Sequence, residues 1–511
     1  MLTPPGAFAN PILPGSHPDP SICRVGADYY LVNSSFEWFP GLPIEHSRDL
    51  VHWRRLGHAL DRPEQLPLDG IRPSGGLYAP TIRHHDGVFY LVCTLVDGNV
   101  ESGNFLVTAT DPAGPWSQPL WLEEAEGFDP SLLFDEGRVW LHATRTTDDA
   151  GHTEVWLREL DLKAGRLTGP EHVIWSGALR GARWAEGPHI YRIGEYYYLL
   201  AAEGGTDLEH AVSVARATSV TGPYEGNPRN PVLTHRHLGA AHPIGSTGHA
   251  DLVQTPGGDW WAVLLATRPG TNLGRETFLT PVAWEDGWPA FRGVELVGTR
   301  PDVPEHRFSP RPWCDHFDGP ELDPSWNVLR TPRQRFWETG DGLRLRLLPE
   351  PPTGRGETSL IARIQQHTHF AAFTALDFAP AAASTSATAS APATASAPAA
   401  GECAGLVLLN GDHQIRLEVS RHDVRLVRGT DVVATEPVPE GRVKLSVEAH
   451  GQEYRFRVNG RTVGPVVDGS LLSHRRADSF TGAYLGLFAT GNGLAGSTVA
   501  HFPYFEYAPI V

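Results

Sequence analysis

Positive charge, cysteine and long apolar runs are all in short supply in this 511-residue chain. Lysine and arginine number 42 against 59 aspartates and glutamates, and the formal net charge of −17 is spread along the chain. That excess disfavours nucleic acid and anionic membranes as partners and suits an uncharged substrate. The four cysteines, Cys23, Cys93, Cys314 and Cys403, lie far apart with no metal-type spacing. Buried free thiols are expected, and neither a disulfide framework nor a cysteine zinc site. No run of about 18 apolar residues occurs, which excludes an ordinary membrane-spanning helix. The segment from Met1 to Pro20 lacks a basic start and an apolar stretch. No secretory leader is read there, and a soluble, cytoplasmic protein is expected.

Helical patterning is scarce as well. What the chain has instead is 54 glycines and 44 prolines, with short segments rich in Val, Leu, Tyr and Trp between them. This is the texture of an all-β protein, and the length calls for at least two domains. Five times in the first 300 residues a turn precedes an aromatic-rich strand. These are Asp28-Tyr-Tyr-Leu-Val, Gly87-Val-Phe-Tyr-Leu-Val, Gly137-Arg-Val-Trp-Leu-His, Gly194-Glu-Tyr-Tyr-Tyr-Leu and Gly258-Asp-Trp-Trp-Ala-Val. The aromatic positions Tyr30, Tyr90, Trp140, Tyr197 and Trp261 recur at intervals of 60, 50, 57 and 64. Each interval has room for a four-stranded sheet with long loops, so residues 1–310 are expected to form a five-bladed β-propeller.

Eleven residues before these aromatics stand Asp19, Ala79, Asp129, Glu186 and Ala250. Their settings are Asp19-Pro-Ser-Ile, Ala79-Pro-Thr-Ile, Asp129-Pro-Ser-Leu, Glu186-Gly-Pro-His-Ile and His249-Ala-Asp-Leu-Val. The fourth carries an extra residue and the fifth lacks the proline, so register there is open by one. Equivalent positions in equivalent blades form a ring about the axis. Three of the five are carboxylates.

Past Trp313 the pattern changes to alternating strands such as Leu343-Arg-Leu-Arg-Leu and Gln414-Ile-Arg-Leu-Glu-Val. Residues 311–511 are expected to form an antiparallel β-sandwich. Within it, residues 379–400 are almost wholly Ala, Ser, Thr and Pro and read as a flexible loop between two strands.

Each acid has an ordinary reading on its own. Asp19 and Asp129 precede proline, a common turn signal, and Glu186 taken singly is a surface acid. At matched repeat positions the three read as a catalytic cluster. Hydrolysis of a glycosidic bond needs one protonated carboxyl for the leaving oxygen and one ionised carboxylate. A ring can place such a pair on opposite sides of one pocket.

Longer motifs point the same way. Asn10-Pro-Ile-Leu-Pro-Gly-Ser-His-Pro-Asp-Pro-Ser-Ile, Asn33-Ser-Ser-Phe-Glu-Trp-Phe-Pro-Gly and His46-Ser-Arg-Asp-Leu-Val-His-Trp open the chain. Gly76-Leu-Tyr-Ala-Pro-Thr-Ile-Arg, Glu186-Gly-Pro-His-Ile-Tyr, Glu203-Gly-Gly-Thr and Gly274-Arg-Glu-Thr-Phe-Leu follow in order. Together they resemble glycoside hydrolase family 43, closest to its bacterial β-xylosidase branch. Asp315-His-Phe-Asp-Gly-Pro-Glu-Leu-Asp-Pro-Ser-Trp resembles the start of that family's C-terminal, concanavalin A-like sandwich.

The resemblance implies a five-bladed propeller and an inverting reaction, with Asp19 as general base, Glu186 as general acid and Asp129 raising the acid's pKa. It implies that Phe36, Tyr78 and Ala79 line the pocket for the terminal sugar, that Arg275 contacts sugar hydroxyls, and that a loop aromatic near Phe480 closes one end. Tyr78 is a departure, because relatives often carry Trp there. For Phe36 core packing, and for Arg275 a structural ion pair, stand as further readings. His249 matches a histidine below the acids that binds calcium or another divalent ion in some members; a satisfied core histidine is the other reading, and no cofactor is required. The implied substrate is xylobiose or a short xylo-oligosaccharide, cleaved from the non-reducing end. An α-L-arabinofuranosidase, dual activity and a glycan-binding propeller without catalysis are the alternatives. Relatives are often homodimers or homotetramers.

Overall fold

The computed structural model describes residues 4, 6–97, 102–178, 183–309, 313–380, 401–494 and 496–510. Most of the expected flexible loop, residues 381–400, lies outside the described residues. The protein is all-β, with a five-bladed β-propeller followed by a β-sandwich. Helix among the described residues is limited to His474–Ala477 and short 3-10 turns. By contact density the chain divides into two compact units. One comprises Met1–Pro269 with Leu273–Ser309, the other Gly270–Asn272 with Pro310–Val511.

Each blade is an antiparallel sheet made from one continuous stretch of chain. The innermost strands, in blade order, are Ser21–Val25, Thr81–His85, Phe128–Asp135, Glu186–Ile193 and Gly245–Gln254. Each packs against the innermost strands of the blades on either side, and the fifth packs against the first, which closes the ring. Tight turns join most of them to the second strands. Asp86-Gly87 and Glu136-Gly137 both have positive φ throughout, the geometry of a two-residue hairpin whose twist matches its strands.

The repeated aromatics explain why the blades adhere. Tyr30 of the first blade meets Phe89 of the second edge-on, ring centroids 5.0 Å apart. Tyr90 of the second meets Phe134 of the third at 4.8 Å. Trp140 and Tyr197 share an apolar cluster with Leu133 and Ile190 between the third and fourth blades. Trp261 packs with Ile22, Tyr29 and Leu31 between the fifth and the first. The sequence repeat is thus a repeat of inter-blade contacts, each burying a large apolar side chain.

A short strand at the start of the chain, Ala7–Ala9, pairs with Val297–Thr299 near the end of the same unit. Along the axis, Asp251 on the fifth blade accepts bonds from Ser21 Oγ (2.7 Å) and the Ile22 N–H (3.0 Å) of the first. Arg83 of the second blade reaches it at 2.8 Å, and the Tyr191 hydroxyl of the fourth donates to it. One fully buried carboxylate therefore ties four blades together.

In the second unit one sheet runs in the order Asp431–Pro437, Asp423–Arg428, His413–Val419, Cys403–Asn410, Tyr484–Thr490, Ser359–Ile364, Asn327–Leu329. The other is centred on His369–Phe378, which pairs with Val443–His450 and Phe505–Pro509. Leu406, Leu417, Phe370 and Phe456 are fully buried, and alternate residues on several of these strands face outward.

Candidate active site

The inner strands begin in a shared local geometry. Ser21, Thr81, Ser131, His189 and Asp251 are each hydrogen-bond-register partners of the second strand. Two residues before them stand Asp19, Ala79, Asp129, Gly187 and His249. Four of these five share left-handed backbone: Asp19 (φ 51°), Asp129 (54°), Gly187 (56°) and His249 (52°). Non-glycine residues in that region are uncommon and gather at functional sites. The fifth ring position is therefore His249 and not Ala250, and Glu186 stands one residue ahead of the fourth. The register shift between Glu186 and His189 is the same as that between Phe128 and Ser131, so Glu186 takes the place of Phe128 in the third blade.

Asp19 is 5% exposed and firmly held. Ser34 Oγ donates to its Oδ2 at 2.6 Å, and Arg275 Nη1 donates to its Oδ1 at 3.0 Å. His249 Nδ1 stands 3.9 Å from the same oxygen. Burial by itself would raise the pKa of this carboxyl. The Arg275 charge, then His249 and the Ser34 hydrogen bond, outweigh that and hold it below the usual carboxylate range.

Asp129 is 8% exposed and accepts the Gly187 N–H at 3.0 Å. That bond fixes the peptide joining Glu186 to Gly187, so the backbone beside one acid is anchored by the side chain of another. Burial pushes Asp129 up to about 6, with His249 opposing and the Asp19 charge adding to the rise. Glu186 is half-buried. Its pKa is raised well above the ordinary glutamate value, first by burial and then by the charges of Asp129 and Asp19. Desolvation thus leads and the neighbouring carboxylate adds to it. The two environments push the acids in opposite directions, Asp19 down and Glu186 up, the separation that acid–base chemistry by a pair of carboxyls uses.

Arg275 is 6% exposed, and Nη1 also reaches Thr206 Oγ1 at 3.2 Å. Its guanidinium lies 5.5 Å from the Phe36 ring centroid. Phe36 meets Tyr78 edge-on at 5.3 Å and is 1% exposed, so it backs Arg275 more than it offers an open stacking face. Tyr78 is half-buried, and its hydroxyl donates to the Ser74 carbonyl at 2.8 Å. Gly76 makes this arrangement possible: its φ is +93°, and a Cβ there would come within 2.3 Å of the Phe36 carbonyl oxygen. Without a side chain, Leu77 can exchange backbone hydrogen bonds with Phe36, and Tyr78 and Ala79 follow directly. Ala79, 6% exposed, occupies the second ring position.

His249 is buried, its ring centroid 6.4 Å from that of His189. The Gly187 backbone presses on it so closely that a Cβ there would lie 2.8 Å from Cε1. Among the described residues no group of three or more His, Cys, Asp or Glu side chains gathers to hold a metal ion. Phe480 belongs to the second unit and is 38% exposed, between the buried Ser479 and Thr481.

Three contributors were not singled out from sequence. Ser34 and Thr206 lie inside the motifs Asn33-Ser-Ser-Phe and Glu203-Gly-Gly-Thr, where their hydroxyls were visible but unassigned. His210 carried no signal. It is 1% exposed, its Nδ1 faces the Ser246 carbonyl at 3.0 Å, and burial lowers its pKa to about 4.

Comparison with known proteins gives the family. Residues 8–289 match the model of glycosyl hydrolases family 43. Residues 314–388 and 383–508 match the β-xylosidase C-terminal concanavalin A-like domain. The chain belongs to glycosyl hydrolase family 43 and is a glycosidase. It is 41% identical to a xylosidase/arabinosidase of Butyrivibrio fibrisolvens, over 97% of this chain and 98% of that one. It is 40% identical to a non-reducing end α-L-arabinofuranosidase of Bacteroides ovatus, over 98% and 94%. Among solved structures, a xylan β-1,4-xylosidase from Bacillus halodurans superposes with a TM-score of 0.88 at 37% identity, covering 98% of this chain and 100% of that one.

Proposed function

We propose that the protein is an inverting, exo-acting β-D-xylosidase that removes terminal xylose from xylobiose and short xylo-oligosaccharides. The observation that carries this reading is the opposed state of two acids at one ring. Asp19 is clamped by Arg275 and Ser34, while burial and the charge of Asp129 push the Glu186 carboxyl the other way. Asp19 takes a proton from water as its oxygen attacks the anomeric carbon. Glu186 gives its proton to the glycosidic oxygen as that bond breaks, so water is added across the bond and configuration inverts. Asp129 keeps the acid protonated and, through the Gly187 N–H, holds its backbone.

Tyr78 and Ala79 border the terminal sugar and Arg275 reads its hydroxyls, with Phe36 behind it. An α-L-arabinofuranosidase activity at the same acids is the second reading, favoured by the activities for which the Butyrivibrio and Bacteroides relatives are named.

Proton NMR of nitrophenyl β-xyloside digestion, which releases a single xylose, tests the reading. Release of α-xylose first is expected, and initial β-xylose would refute inversion. Initial rates on the nitrophenyl β-xyloside and α-L-arabinofuranoside rank the two activities, and a large excess on the arabinoside would make the arabinofuranosidase the principal activity.

A further inference from the structure

Trp184 has no role in the chemistry above, yet it is placed with care. It is 38% exposed in a unit whose other tryptophans are buried or half-buried. Its backbone is left-handed, φ 52°, a strained conformation for a bulky residue that persists only where the surroundings impose it. Two hydrogen bonds do so: Trp184 N–H to the Gly151 carbonyl and Gly204 N–H to the Arg183 carbonyl, both 2.9 Å.

Two glycines make room for the indole. A Cβ on Gly151 would lie 2.9 Å from Cε2 and 3.0 Å from both Cζ2 and Nε1. Near-equal distances to three bonded ring atoms put Gly151 over one face of the ring. A Cβ on Gly205 would lie 3.1 Å from Cδ1, so Gly205 abuts an edge. Both glycines have positive φ, +83° and +71°, so both are suited to stay glycine. Among the described residues the indole N–H has no hydrogen-bond partner. The result is an aromatic plate, backed on one face and partly open.

Its neighbours say which sugar it would meet. Trp184 lies two residues before Glu186. Gly205, against its edge, precedes Thr206, whose hydroxyl is bonded to Arg275 and through it to Asp19. Phe36 and Tyr78 come from the first and second blades, whereas Trp184 stands between loops of the third and fourth, on the side of the acid. We infer that Trp184 is the stacking platform for the sugar on the leaving-group side of the scissile bond, a specificity-determining residue that binds the ring whose oxygen Glu186 protonates. The apolar C–H face of a pyranose would lie on the open indole face, with the N–H free to donate to a hydroxyl. This inference rests on the xylosidase reading above.

The test compares a leaving group that reaches Trp184 with one that does not. In Trp184→Ala, kcat/KM on xylobiose is expected to fall about tenfold, the scale of one lost aromatic stacking contact. Hydrolysis of β-xylosyl fluoride, whose leaving group has no ring, is expected to stay within about twofold of wild type, within a few tenths of a kcal/mol. Trp184→Phe is expected to regain part of the disaccharide activity. Equal losses on both substrates would show that Trp184 merely supports Glu186, and no loss on either would show that it touches nothing; either result overturns the inference. A wild-type enzyme inert to both substrates would overturn the xylosidase reading and this one with it.

Discussion

Arg275 Nη1 lies 3.0 Å from Asp19 Oδ1 and 3.2 Å from Thr206 Oγ1, so one guanidinium nitrogen joins the first blade, the fourth and the fifth at the acid ring. The bond also favours the ionised form of Asp19. Arg275→Gln removes the charge that offsets Asp19's burial, and the Asp19 pKa rises. The acidic limb of the kcat/KM profile is therefore expected to move up by about 1–3 pH units, the usual effect of an adjacent opposite charge. A pH–rate profile against xylobiose checks this; an unmoved limb would mean that another group governs it.

The two opposed acids should fail differently. Asp19→Asn is expected to cost about 10²–10⁴ in kcat on every substrate, because the attacking water loses its base whatever the leaving group. Glu186→Gln is expected to cost as much on xylobiose and far less on an aryl glycoside with an acidic phenol, which departs without protonation. Equal losses on both substrates for Glu186→Gln would contradict its role as the acid.

Asp129→Asn should shift the opposite limb. Removing that carboxylate takes away a negative charge that raises Glu186, so the acid loses its proton at lower pH. The basic limb is expected to move down by about one unit. Burial continues to hold Glu186 above the ordinary glutamate value, so the limb should not fall back to that of a free carboxyl.

Asp251 predicts stability and not turnover. It is fully buried, and Arg83, with help from His189 and Tyr191, overcomes the burial penalty and depresses its pKa. A carboxylate whose folded pKa lies below its unfolded value stabilises the fold above the unfolded pKa and loses that contribution as pH falls. Asp251→Asn leaves Arg83 with its charge uncompensated, and a loss of about 3–5 kcal/mol is expected at pH 7. Thermal melts across pH check it: the gap between variant and wild type should narrow as acid neutralises Asp251 in the wild type.

Much of the ring is legible in the sequence, for a physical reason. Propeller blades must each bury an aromatic against the next, so the repeat surfaces as Tyr30, Tyr90, Trp140, Tyr197 and Trp261, and counting back from those residues finds Asp19, Asp129 and Glu186. The count slips where a turn or a register differs. The turn between Gln254 and Trp260 is longer than the two-residue turns of the other blades, so eleven residues back from Trp261 falls on Ala250 and not on His249. In the fourth blade the residue in register with Tyr30 and Trp140 is Tyr198 and not Tyr197, so the count lands on Glu186, one before Gly187. Phe36 reads from the motifs as an open sugar face, but no local pattern reveals that Arg275, 239 positions away in the chain, covers it. Asp251 and Arg83 are silent for the same reason: each is an ordinary charged residue until the ring brings them within 2.8 Å.

The pairing of Ala7–Ala9 with Val297–Thr299 has a consequence for biosynthesis. A ribosome that has released the first four blades has already made Asp19, Asp129 and Glu186, yet Asp19 still lacks the groups that lower its pKa. The cation that keeps Asp19 ionised, Arg275, and the imidazole beside it, His249, both arrive with the last blade. Such distant pairings form late because the intervening loop must close first. Competence to hydrolyse is therefore expected to appear in a single step as the circle joins, and a nascent chain halted before residue 275 should be inert however well its earlier sheets have formed.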